Sequence, residues 1–181
     1  MKAHSNLLVL LHWLLVPAIL AALFMGNDIA SLSNDLDLKV DRVKVHMLAG
    51  IFIGGLFVIR LIVKITSDPI APIQGSESTP VMNKLATLTH RALYLLVFLI
   101  VLTGIGMALQ TNMWEVIQYG ETIPDYINEL PARRAHGVLT SLLAILILVH
   151  TIAALFHHFI LKDGLMSRMW FHRNKNLSSD E

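Results

Sequence analysis

The chain has 181 residues, 55% of them hydrophobic and 15% charged, with a mean hydropathy of +0.62; this is the composition of a polytopic membrane protein, one domain (1–181) of about four spans. A net charge of +1 gives no reason to expect a nucleic acid as partner. The absence of cysteine excludes disulfides, thiolate metal sites, iron–sulfur clusters and covalently attached c-type haem.

The first apolar run covers residues 7–26, about the 20 residues that cross the hydrocarbon core. Lys2 ahead of an apolar core resembles a signal peptide, but no small-x-small cleavage site follows, so the run is expected to be a retained span. Pro17 lies inside it and is expected to bend the helix without ending it. The second run is residues 43–65, after the polar stretch NDIASLSNDLDLKVDRVK. A connector rich in breakers, TSDPIAPIQGSESTP, leads to the third run at 85–110. In the next connector MWEVIQY predicts a short helix in the interface, because Trp114 and Tyr119 suit the headgroup belt. The fourth run is 134–161. The fold expected is all-α, a bundle of four transmembrane helices. Nine Lys and Arg flank the ends on the side of both termini and five flank the other, which predicts cytoplasmic termini.

Nine histidines are many for so apolar a chain. Ionisable groups at bilayer depth are costly unless paired or ligated, so each is a functional candidate. His136, Leu143, His150 and His157 follow one another at steps of seven, close to two helical turns and therefore along one face. His46 and His136 open the second and fourth spans at the outer end. His150 lies 14 residues below His136, about 21 Å down the helix, which is the depth of His12 in the first span. Two imidazoles in each of two layers are what two stacked bis-histidine haems require. Zinc fits less well, since its structural sites gather four ligands in one place. A lone histidine in a span is more often a packing or headgroup-level residue; the paired depths favour ligation. His90 shares the inner depth and is the rival for that layer.

The segments LLHWLL, VKVHMLAGIFIGGLFVIRLIVK, THRALYLLVF and RAHGVLTSLLAILILVHTIAALFHHFILKDGLMSRM resemble the prokaryotic cytochrome b561 family over nearly the whole chain. The most specific part is H-x₁₃-H-x₆-HH with KDGLMSRM behind it. The resemblance implies two haems b stacked across a bacterial inner membrane, ligated by His12 with His150 and by His46 with His136. It is greatest to the type that oxidises superoxide and reduces ubiquinone.

Trp13, His90 and His157 are candidates for a quinone site, against simpler roles as interfacial anchor, hydrogen-bonding residue and headgroup-level side chain. Lys44, Arg133 and Arg134 are candidates for contacts to haem propionates or to superoxide, against ordinary flanking charge. Arg60 is explained by snorkelling to the inner interface. The reading that follows is a di-haem electron carrier in lipid. A membrane subunit serving a peripheral dehydrogenase is a second reading, which the short connectors disfavour, and a haem-free proton or metal transporter is a third.

Overall fold

The computed structural model describes residues 5–34, 37–67, 80–164 and 166–170. The middle of the breaker-rich connector (68–79) lies outside the described residues, as do His4, His172 and the flanking cations Lys2, Arg173 and Lys175.

All regular structure among the described residues is helical. The elements are α1 (Asn6–Ser31), α2 (Asp37–Thr66), α3 (Pro80–Gln110), a short α4 (Met113–Tyr119), a 3₁₀ turn (Asp125–Glu129), α5 (Pro131–Phe156), a π turn (His157–Leu161) and a last 3₁₀ turn (Met166–Met169). Four of these helical stretches are long and apolar enough to cross a membrane: Asn6–Ser31, Asp37–Thr66, Val81–Gln110 and Pro131–Leu161.

The helices outrun the apolar runs. α1 continues to Ser31 and α2 begins at Asp37, so most of the expected first connector is helix. Hydropathy marks only the turns that touch hydrocarbon, whereas backbone hydrogen bonding continues into the headgroup region wherever no residue breaks it. Pro17 leaves α1 unbroken. Ser5 caps that helix, its Oγ accepting from the Leu8 N–H at 3.3 Å.

At the end of α3 the Thr111 N–H and hydroxyl both donate to Met107 O, at 3.0 and 2.8 Å. Asn112 then takes a left-handed conformation, φ +45°, which Asn tolerates better than most residues. This reversal lays α4 across the end of the bundle, hereafter the outer end. Met113, Val116 and Ile123 bury themselves against Val40, Val43, Met47 and Ala108, while Trp114 and Tyr119 are 71% and 69% exposed. That is the short helix expected over MWEVIQY, with both aromatic rings at the surface of the bundle. Gly120, φ +69°, ends it, and the Glu121 N–H closes the turn on Val116 O at 3.1 Å.

α3 packs most extensively on α5, and α1 on α2. The central core is Leu15 from α1, Ile53 and Phe57 from α2, Val97 from α3 and Leu143 from α5. Each helix carries a stripe in steps of seven through this level. The stripes are His12–Ile19–Gly26, Lys39–His46–Ile53–Arg60, His90–Val97–Gly104–Thr111 and His136–Leu143–His150–His157, and almost all of these residues are buried or half-buried. A seven-residue step advances about 10.5 Å with little rotation. The antiparallel stripes therefore meet in levels, polar at the two ends and aliphatic between.

Candidate cofactor site: two histidine layers

At the outer level α2 and α5 present His46 and His136, with ring centroids 6.4 Å apart and planes at 77°. The other two helices present glycines. A Cβ built on Gly26 of α1 would lie 3.4 Å from His46 Cε1, and one on Gly104 of α3 would lie 3.6 Å from His136 Cε1. Each imidazole thus rests against the backbone of a neighbouring helix.

Two groups on α3 orient the His136 ring. Its Nδ1 lies 3.1 Å from Ile100 O and 3.0 Å from Thr103 Oγ1. A carbonyl can only accept, so Nδ1 carries the proton and Nε2 is the nitrogen left for a metal. The Thr103 hydroxyl donates to carbonyls of its own helix, Leu99 O and Ile100 O, both at 2.9 Å, and so accepts from the ring. On α2, Lys39 stands seven residues outward of His46 on the same face. Its ammonium is buried and donates to Leu32 O at 2.6 Å and Asn34 Oδ1 at 2.7 Å. Asn34 Nδ2 in turn donates to Asp125 Oδ1 at 3.0 Å, which ties the α1–α2 link to the turn before α5.

At the inner level the structure brings His90 of α3 to His150 of α5, with ring centroids 5.4 Å apart and planes at 74°. His12 is half-buried on α1, its ring 5.5 Å from that of Trp13. Arg60 crosses from α2 and donates to Leu8 O at 2.5 Å, the carbonyl that accepts the His12 N–H in a regular helix. It is therefore more than a snorkelling cation. Lys64 lies 4.2 Å above the Tyr94 ring.

Below this level the chain closes on itself. His157 Nδ1 lies 2.5 Å from Asp163 Oδ2, and the two side chains are 19% and 9% exposed. The turn that makes this possible has Lys162 and Gly164 at positive φ, +50° and +74°. The Trp13 Nε1–H donates to Met169 O at 2.9 Å and its ring meets Trp170 edge-on at 6.2 Å. Its polar group is thus committed to the carboxyl-terminal turn, and only its ring faces remain for a ligand. His158 is exposed beside Phe159.

Of the candidate anion contacts, Lys44 and Arg134 lie apart from the histidine stripes, whereas Arg133 is half-buried and close enough to His136 and Lys39 to act on both electrostatically. Lys44 is exposed, and two helical residues from His46 is about 200° around α2. On α5, Ala132, His136, Leu139, Leu143, Ile147 and His150 form the packed side, whereas Arg134, Val138, Leu142, Ile145 and Ile152 are exposed on the other.

The sequence profile of prokaryotic cytochrome b561 matches residues 3–172. The chain belongs to the prokaryotic cytochrome b561 family. It is therefore a bacterial membrane cytochrome b that binds haem b and takes part in electron transfer. It is 27% identical to a protein named probable superoxide oxidase CybB from Yersinia pestis, over 93% of this chain and 96% of that one. It is 34% identical to cytochrome b561 homolog 1 from Escherichia coli K12, over 68% and 72% of the two chains, and 23% identical to cytochrome b562 from Cereibacter sphaeroides, over 92% and 94%.

The outer residues fit a haem. Two imidazoles bound to one metal from opposite sides, with metal–nitrogen bonds of about 2 Å, have centroids roughly 6 Å apart, close to the separation of His46 and His136. No atom lies within 4 Å of where a Cβ of Gly50 would be; one turn from His46, that face of α2 is open. His46 Nδ1 is buried with no hydrogen-bond partner among the described residues. No group of three or more potential ligands clusters among those residues.

Several of these residues carry no signal that sequence reading used. Among glycines within the spans, Gly54 approaches Val101 and Gly137 approaches Arg133, whereas the glycines against the imidazoles are Gly26 and Gly104. Their spacing to His12 and His90, fourteen residues in each case, is the signal that could have found them. Thr103 and Asp163 reveal themselves only by contact. Replacing Thr103 with Val removes one acceptor from His136 Nδ1 and leaves Ile100 O. The b-type absorbance should survive, and one haem potential should rise by about 20–60 mV in a spectroelectrochemical titration.

Proposed function

We propose that the protein oxidises superoxide at the outer face and reduces ubiquinone at the cytoplasmic face, using two haems b held by His46 with His136 and by His12 with His150. The observation that carries this reading is the presence of imidazoles at two levels of one bundle, separated by an aliphatic core. Likeness from end to end to a relative named probable superoxide oxidase supports the choice of substrate. Bound haem supplies one-electron transfer between the two faces. In balance, two superoxide anions each lose an electron and leave as oxygen, while one quinone takes two electrons and two protons to become quinol.

The chain's own residues position and protonate. Lys39, above His46 on the same stripe, places a buried positive charge at the outer level and favours approach of a small anion. Glycine at 26 and 104 lets the two rings lie close to backbone. At the inner end Asp163 accepts from His157 Nδ1, which fixes the ring; once Nε2 also carries a proton, the doubly protonated ring beside the carboxylate can donate that proton to a quinone oxygen. Cytoplasmic termini place this end toward the proton supply.

Stopped-flow mixing of the oxidised holoprotein with superoxide should produce reduced b-type bands, and added soluble quinone should restore the oxidised spectrum. Haems that stay oxidised under superoxide would overturn the substrate while leaving a membrane cytochrome that serves another donor.

The approach of His90 to His150 favours a second ligand pairing, and two variants separate the two. His12→Ala should lose one of two bis-histidine signals in low-temperature electron paramagnetic resonance, and His90→Ala should keep both; the opposite result assigns His90 to the inner haem.

Asp163→Asn keeps the shape of the partner and removes its charge. It should lower the kcat of quinone reduction about tenfold or more, with KM and the rate of haem reduction by superoxide unchanged. A rise in KM alone would make Asp163 part of quinone binding rather than of proton delivery.

A further inference from the structure

A cavity of about 660 Å³ opens beside the outer end of α5, lined by Asn128, Arg133, Arg134, Gly137, Val138, Ser141 and Leu142. We propose that it binds the phosphate of an anionic membrane phospholipid, with Arg133 and Arg134 supplying the charge and Asn128 and Ser141 neutral hydrogen bonds. This inference is independent of the redox reading.

Position decides first between a lipid and a redox ligand. Arg134, Val138, Ser141 and Leu142 are exposed on the side of α5 away from His136, Leu143 and His150, while Arg133 and Gly137 form the half-buried edge of the cavity nearer the bundle. In a bundle embedded in a bilayer that side meets lipid. The cavity begins at the first turn of the fourth span, at the depth of headgroups, and Val138 and Leu142 beneath it are suited to acyl chains.

The pose of Arg133 is the second observation. Long helical side chains normally lean toward the helix amino terminus, which here is the aqueous end. Arg133 leans the other way: its Nη1 would lie only 3.4 Å from a Cβ on Gly137, one turn deeper. Glycine at 137 gives the guanidinium room to lie there. A snorkelling arginine would turn to water; one that turns inward calls for an anion at headgroup depth.

Charge supplies the third. The lining contains two guanidiniums and no carboxylate. Among the described residues the ion pairs are Arg42 with Asp28 and His157 with Asp163, so neither Arg133 nor Arg134 reaches an acid there. Asp125, on the neighbouring turn, is engaged with Asn34. Guanidinium forks match phosphate oxygens in geometry, and a site with two positive charges prefers a headgroup with no cation of its own.

Native mass spectrometry of the holoprotein from neutral detergent tests this, with phosphatidylglycerol and phosphatidylcholine added in turn. The wild type should retain one phosphatidylglycerol in preference to phosphatidylcholine. Retention should fall about tenfold or more in an R133Q/R134Q double variant, with the haem absorbance serving as control for folding. Should that variant lose its haem, Ser141→Phe fills the cavity from the lipid side without changing charge and should lower retention in the same way. Equal retention of the two lipids, or undiminished retention in both variants, overturns the proposal. Displacement of the lipid by millimolar glycerol phosphate also overturns it, since the site would then take a free phosphate rather than a lipid.

Discussion

In a bundle surrounded by lipid, an imidazole has no water to fall back on and must find its partner across the bundle axis. That requirement governs the arrangement of this chain. A seven-residue step returns a side chain to nearly the same face about 10.5 Å further along. Every span uses that step to place its functional groups in levels. Because neighbouring helices run in opposite directions, residues far apart in sequence, such as His46 and His136, arrive together at one end. The aliphatic level between, with Ile53, Val97 and Leu143, keeps the two polar levels apart.

The polar groups inside the bundle are held largely by backbone carbonyls. His136 is oriented by Ile100 O, Lys39 by Leu32 O and Arg60 by Leu8 O. The Ile100 and Leu8 carbonyls lie within helices and have a further lone pair to offer, and Leu32 O stands free beyond the end of α1, so a charged or protonated side chain can be satisfied without a second buried charge. Burying an opposite charge would add its own desolvation cost. The ion pairs seen, Arg42 with Asp28 and His157 with Asp163, lie at the ends of the bundle. A proton carried on His136 Nδ1 also holds the ring in place and leaves Nε2 as the nitrogen that could serve a metal.

Much of this was legible in the residues. Four apolar runs announced four spans, Trp114 and Tyr119 announced an interfacial helix, and equal depths predicted the approach of His46 to His136. The helix ends were not legible, since polar turns beyond the hydrocarbon show no apolar signal; α1 and α2 extend well into the stretch that reads as a connector. Thr103 was invisible because its hydroxyl also bonds its own helix, as any membrane threonine can. Asp163 carried no signal in the sequence; a left-handed residue at Lys162 brings it back to His157.

Period and composition by themselves determined that the chain spans a membrane four times and lines up its histidines at two depths, because both follow from the fixed rise of a helix and the thickness of hydrocarbon. Rotation about each helix axis is another matter. It depends on which neighbours pack where, and small shifts in it decide whether His90 or His12 turns toward His150, and whether Arg134 faces the bundle or the lipid. Only the packed structure settled that Arg134 lies on the exposed side of α5 and that His90 meets His150, since side chains on all four helices compete for the same interior space.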